Sequence, residues 1–129
     1  MADRYCTNSS PTQTLIELLR AVPRDGAIGT VYCVSRVTAP CLFKIGRTSG
    51  PVATRLRALN CGSVDPLVLR WKLLVRGHIE AERAIHQALG CFRVDRNREF
   101  FNLPWESIEP LRDVIAEEVG VDQLAYLPR

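Results

Sequence analysis

The sequence holds no apolar run near the roughly 18 residues a bilayer crossing requires, so a transmembrane helix is excluded. Its first thirteen residues, MADRYCTNSSPTQ, are polar and lack the apolar stretch of a secretory signal. An intracellular, cytoplasmic protein with no membrane partner is the expectation. No two of the five cysteines (Cys6, Cys33, Cys41, Cys61, Cys91) form a CxxC pair, which removes the main support for zinc-ribbon and thioredoxin-type readings. An odd count at irregular spacing does not read as a disulfide framework. Cys33 and Cys41 lie in apolar stretches, where a free cysteine behaves as a small hydrophobe. There is no internal repeat and no low-complexity segment. Lysine is scarce: fifteen of the seventeen cations are arginine, a ratio that genomic codon bias produces unaided.

What is present fits one soluble globular domain. The chain has 129 residues, 47% hydrophobic and 24% charged, which excludes disorder over most of its length. Net charge is only +3, but it is unevenly placed. Residues 29–102 carry twelve Arg or Lys against five Asp or Glu, whereas residues 103–129 carry two against six. A basic body followed by an acidic segment suits a nucleic-acid or other polyanion partner.

The pattern along the chain gives the order α-β-β-α-β-α-(β)-α. After a polar leader, Ser10 offers a helix cap with Pro11 at the first helical position, and Leu15, Ile16, Leu18 and Leu19 form an apolar stripe that stops near Pro23. Gly29 to Val34 is β-branched and aromatic and reads as a strand. A loop around Thr38-Ala39-Pro40 leads to a second strand, Cys41 to Ile45, and the short connection makes an antiparallel hairpin. Gly46 and Gly50 are expected to bracket a tight loop, and Pro51 to open a helix running to about Asn60. Leu67 to Arg76 is the third strand. His78 to Leu89 forms a helix closed by Gly90, and Arg98 to Leu103 is a short strand or extended lead-in. A final helix runs from Trp105 to about Val119. The expected fold is α/β (α+β): a small antiparallel three-stranded sheet flanked by helices. Residues 1–28 then form a leader and extra N-terminal helix, 29–103 the core, and 104–129 an acidic C-terminal helix packed on the same domain.

Four places carry polar residues that this pattern does not require. Tyr32 lies inside the first strand and Lys44 inside the second, where they meet on one face if the register allows. A lysine near a tyrosine hydroxyl favours the phenolate and hence its use as a base. From spacing alone, an edge-strand lysine that merely discourages aggregation is the commoner case. On the Pro51–Asn60 helix, Arg55 and Arg57 flank the apolar stripe on opposite sides, so only one leans toward a given pocket. A guanidinium there would bind phosphate through its fork, although two solvated arginines are the commoner case. On the His78–Leu89 helix, Glu82 sits at the edge of the face formed by Ala81, Ala84, Ile85, Ala88 and Leu89, with His86 one turn on. One carboxylate is enough for magnesium, which takes its remaining ligands from water and substrate phosphate, and far too little for structural zinc. His78, Glu82 and His86 together span about 12 Å of helix and cannot close on one ion. A helix-surface pair of Glu82 and His86 remains the plain alternative.

In this order the positions resemble the GIY-YIG nuclease superfamily. Gly29-Thr30-Val31-Tyr32 keeps the tyrosine of the first signature. Lys44-Ile45-Gly46-Arg47-Thr48 matches the K-I-G-x-T form of a phage and bacterial subgroup. Arg55 to Asn60 matches its R-L-x-x-L-N helix, Glu82 to His86 its E-x-x-x-H helix, and Glu99-Phe100-Phe101 its E-[WF]-F segment.

The resemblance implies a metal-dependent endonuclease that hydrolyses DNA phosphodiester bonds, with RNA left open. By likeness, Tyr32 activates the attacking water, Lys44 stands in place of the second tyrosine, and Arg55 stabilises the pentacovalent phosphate. Glu82 binds a single Mg²⁺ or Mn²⁺ ion, with Glu99 as the rival carboxylate, and His86 assists proton transfer or orients the nucleophile. Arg47, Thr48, Arg57 and a late asparagine, Asn97 or Asn102, are the expected DNA contacts. Double-strand cutting by one small site takes two sequential nicks or a homodimer. Two other function classes compete: a catalytically idle nucleic-acid-binding or protein-interaction module of the same fold, and a structural protein using the acidic helix. A steep salt dependence of DNA binding separates the last from the others.

Overall fold

The computed structural model describes residues 10–95 and 100–122. Cys6, Asn97, Arg98 and Glu99 lie outside the described residues. The described residues hold four α-helices: α1 (Pro11–Arg20), α2 (Val52–Asn60), α3 (His78–Ala88) and α4 (Trp105–Val119). Five strands, β1 (Ile28–Arg36), β2 (Ala39–Thr48), β3 (Leu67–Arg76), β4 (Arg93–Asp95) and β5 (Phe100–Asn102), form one antiparallel sheet in the order β3-β1-β2-β5-β4.

The mixed α/β class therefore holds, but the sheet has five strands rather than three. The two extra strands are three residues long each. A segment that short carries no readable alternation and becomes a strand only by pairing. The expected loop at Gly46 is also corrected, because β2 runs unbroken through Gly46 to Thr48. Cys33 is buried as expected, and burial pushes its thiol above the ordinary range. Cys41 is exposed in spite of its apolar neighbours, and Cys91 is disulfide-bonded.

Strand alternation divides the core in two. Val31, Cys33, Phe43, Ile45, Trp71, Val75 and Phe101 point to one face, where they meet Leu15 and Leu19 of α1, Ala81 and Ile85 of α3, and Ile108, Leu111 and Ile115 of α4. Tyr32, Val34 and Leu67 point to the other, where Val52, Leu56 and Leu59 of α2 cover them. Each fully buried aliphatic side chain here contributes about 1.5–3 kcal/mol. No helix among the described residues is long and apolar enough to cross a membrane.

Local chemistry fixes the elements that carry the cleft described below. The Ser10 side chain caps α1 by accepting from the Gln13 N–H at 3.1 Å. Asp65, before β3, braces the β1–β2 turn: it accepts from the Thr38 N–H and hydroxyl, and its carbonyl accepts from Arg36 at 2.6 Å. The start of α3 is tied to the start of β1 by the Ala27 carbonyl. That oxygen accepts from the Gly77 and His78 N–H groups and from the His78 ring at 3.0 Å. The buried imidazole lies over Gly29, where a Cβ would stand 2.5 Å from the ring. His78 is thus an internal pin, and Gly29 leaves the room for it.

Candidate active site

Tyr32 stands on β1 opposite Gly46 of β2 on one side and Lys72 of β3 on the other. Its ring is buried, 1% exposed, in the cluster under α2. The ring lies across Gly46: a Cβ at that position would fall on Cζ and the hydroxyl, and 2.8 Å from Cε1. Glycine at 46 is therefore the gap through which the tyrosine crosses β2. Lys44 pairs with Val34, so it shares the face of Tyr32 on the diagonal rather than directly opposite. Such diagonal neighbours lie about 7–8 Å apart, within reach of a lysine side chain.

Glu82 starts from the other face of the sheet, on α3. It meets the Tyr32 side because β5 pairs only with Leu42, Phe43 and Lys44 of β2. Beyond Lys44, no strand flanks the outer edge of β2 among the described residues. Around this open edge lies a cleft of about 420 Å³ lined by Tyr32, Lys44 and Gly46, by Arg47, Thr48 and Ser49, and by Arg55 and Glu82. Among the described residues three cations face one carboxylate, an arrangement that favours a polyanion over a neutral ligand. Arg47 forms an ion pair with Glu82, Nε to Oε1 at 3.4 Å, with side chains 42% and 19% exposed. A larger groove of about 530 Å³ runs beside β3 between Lys72, Arg112 and Asp122, and contains neither Tyr32 nor Glu82.

The cleft thus brings together Tyr32, Lys44, Arg55 and Glu82, with Arg47 and Thr48. Of the two helix arginines only Arg55 lines it, and Arg57 is exposed elsewhere on α2. Asn102 is exposed on β5 opposite Leu42 and does not line it. His86 is outside the lining as well: Nε2 donates to the Ile45 carbonyl at 2.8 Å, and the ring stands edge-on to Phe101 with centroids 5.3 Å apart. The imidazole satisfies a backbone group of β2 just past the last pairing with β5. The Thr48 hydroxyl accepts from the Gly50 N–H at 3.1 Å and so shapes the turn into α2.

Sequence reasoning missed three features, of which two are Ser49 in the lining and the Arg47–Glu82 pair. A third lies in the R-L-x-x-L-N motif, whose asparagine is a clamp. Asn60 Nδ2 donates to the Leu67 carbonyl at 3.0 Å, and its Oδ1 accepts from the Leu67 N–H at 2.7 Å. The side chain pairs with β3 as a strand residue would, fixing α2 and Arg55 over the sheet.

The donor set fits one hard cation that arrives with its own phosphate ligands. Among the described residues Glu82 is the carboxylate that lines the cleft, and no group of three or more His, Cys, Asp or Glu able to hold a metal occurs among them. Magnesium is commonly held by one or two carboxylates with water and substrate phosphates. Closed zinc coordination does not fit.

No curated protein and no solved structure matches the chain. A family model, the T5orf172 domain, matches residues 29–116, a span that contains every residue lining the cleft. The chain belongs to the T5orf172 domain family.

Proposed function

We propose that the chain is a metal-dependent endonuclease of GIY-YIG type that hydrolyses phosphodiester bonds in DNA. One observation carries the reading: Tyr32, Lys44, Arg55 and Glu82, from four different elements, converge on one cleft. Membership of the T5orf172 family and the excess of cations in the cleft support it.

In-line displacement at phosphorus needs a nucleophile activated on one side and negative charge neutralised around the phosphate. Tyr32, held rigid in the sheet with Lys44 as the neighbouring cation, orients the attacking water. Having given up its own proton to solvent, it receives that of the water. As the water oxygen bonds to phosphorus the opposite P–O bond breaks, and its oxygen leaves as an alcohol protonated from solvent. Arg55 contacts the non-bridging oxygens, where charge builds. Glu82 is the residue that would hold Mg²⁺ or Mn²⁺, and the ion when bound supplies positive charge against the phosphate. Arg47 and Thr48 line the approach. His86 acts from behind by holding the edge of β2 in place.

Incubation of supercoiled plasmid with Mg²⁺, Mn²⁺ or EDTA, beside the Glu82→Ala variant, tests the proposal. Metal-dependent nicking that disappears in the variant is the expected result. Salt-sensitive binding with no cutting under either metal would instead identify a catalytically idle binding module.

A further inference from the structure

The carboxylate assigned to the metal already has a counter-ion. Arg47 Nε lies 3.4 Å from Glu82 Oε1 at the rim of the cleft. The two approach from different elements, Arg47 from the open edge of β2 and Glu82 from α3. Arg47 is the more exposed partner, so its guanidinium is free to swing outward while Glu82 stays half-sheltered. Both side chains line the cleft with Lys44 and Arg55, where a phosphate would be drawn.

We infer that Arg47 is a positioning residue that couples nucleic-acid binding to divalent-metal binding: it neutralises Glu82 until a phosphate draws it away. This rests on the proposal that the cleft takes nucleic acid. With Arg47 in place, a divalent ion meets a carboxylate whose charge is compensated and a guanidinium that repels it. An incoming phosphate offers the guanidinium a bidentate partner and frees the carboxylate. Nucleic acid and metal therefore strengthen each other's binding, and the coupling must be reciprocal. The site loads its ion when substrate is present and holds it weakly when substrate is absent.

Two binding measurements on the full chain test this without reading activity. In the first, Mn²⁺ alone is titrated calorimetrically into the parent, Arg47→Ala, Arg47→Lys and Glu82→Gln. Because exposed ion pairs are worth about 0.2–1 kcal/mol, Arg47→Ala should bind Mn²⁺ more tightly by a factor of roughly 1.4 to 5. Arg47→Lys should stay near the parent, and Glu82→Gln should lose the ion. In the second, a short DNA duplex is titrated in EDTA, where nothing can be cut. Glu82→Gln should tighten duplex binding, because Arg47 no longer has to leave a partner. That gain should shrink in the Arg47→Ala background, giving a coupling of similar size.

Unchanged Mn²⁺ affinity in Arg47→Ala, with the ion still lost in Glu82→Gln, would overturn the inference and leave the nuclease reading standing. Additive effects of the two substitutions on duplex affinity would overturn it too. Parental Mn²⁺ binding by Glu82→Gln, or no salt-dependent duplex binding by the parent, would instead break the nuclease reading, and the inference with it.

Discussion

The hydroxyl end of the Tyr32 ring occupies the space that a Cβ of residue 46 would take, so Gly46 is the opening by which a tyrosine of β1 reaches the outer edge of β2. The same edge is where β5 has ended and where Glu82 of α3 comes into reach. The cleft thus depends on two local departures from regular structure: a missing side chain within β2 and a flanking strand that pairs with only three of its residues.

Gly46→Ala tests the first departure. The added methyl lands on a ring that is 1% exposed and held under α2, so the ring must turn out of position. Overpacking of this kind costs about 1–3 kcal/mol. The variant should fold with a lower denaturation midpoint, keep most of its DNA affinity and lose nicking. A parental midpoint together with parental nicking would show that Tyr32 does not need the gap.

Asn60→Ala separates scaffold from chemistry. It leaves the Leu67 N–H and carbonyl without their partner, and a part-buried pair of this kind should cost about 1–3 kcal/mol. Urea denaturation should show the loss, while nicking per folded molecule well below the transition stays near parental. A large fall in turnover with stability intact would move Asn60 into the catalytic machinery.

Arg55 and Arg57 lie two positions apart on α2, and only Arg55 lines the cleft. Arg55→Ala should cut turnover by roughly 10²–10³-fold, the usual scale for removing one donor that stabilises a developing oxyanion. Arg57→Ala should leave the chemical step alone. If Arg57 touches a phosphate outside the cleft, its removal flattens the log affinity against log salt slope by about 0.9. Equal loss of turnover in the two variants would contradict the geometry.

Three strands and four helices were legible because each is long enough to show its period or its caps. Ser10-Pro11 opens α1, and the β-branched run of β1 and the apolar positions of α3 bury as the pattern indicates. The strand β4 was not legible, and β5 was read only as a short strand or extended lead-in, since three residues acquire a pairing only from the edge they lie beside. Gly46 misled because glycine usually breaks a strand, whereas here its lack of a side chain serves the neighbouring tyrosine. The residues Tyr32, Lys44, Arg55 and Glu82 could be named from motif order, but their convergence depends on where β5 stops, which the motifs do not encode. The Arg47–Glu82 contact was hidden because it joins β2 to α3 on the face that carries Val31 and Ile45, a packing that motif order does not encode.

Tyr32→Phe tests the central role of the cleft most directly. The substitution keeps the buried ring and its packing over Gly46 and removes only the hydroxyl. Measured on one plasmid substrate in Mg²⁺, with duplex affinity measured in EDTA, the variant should bind as the parent does and fail to nick. Nicking at the parental rate would take Tyr32 out of the chemistry and the proposed mechanism with it.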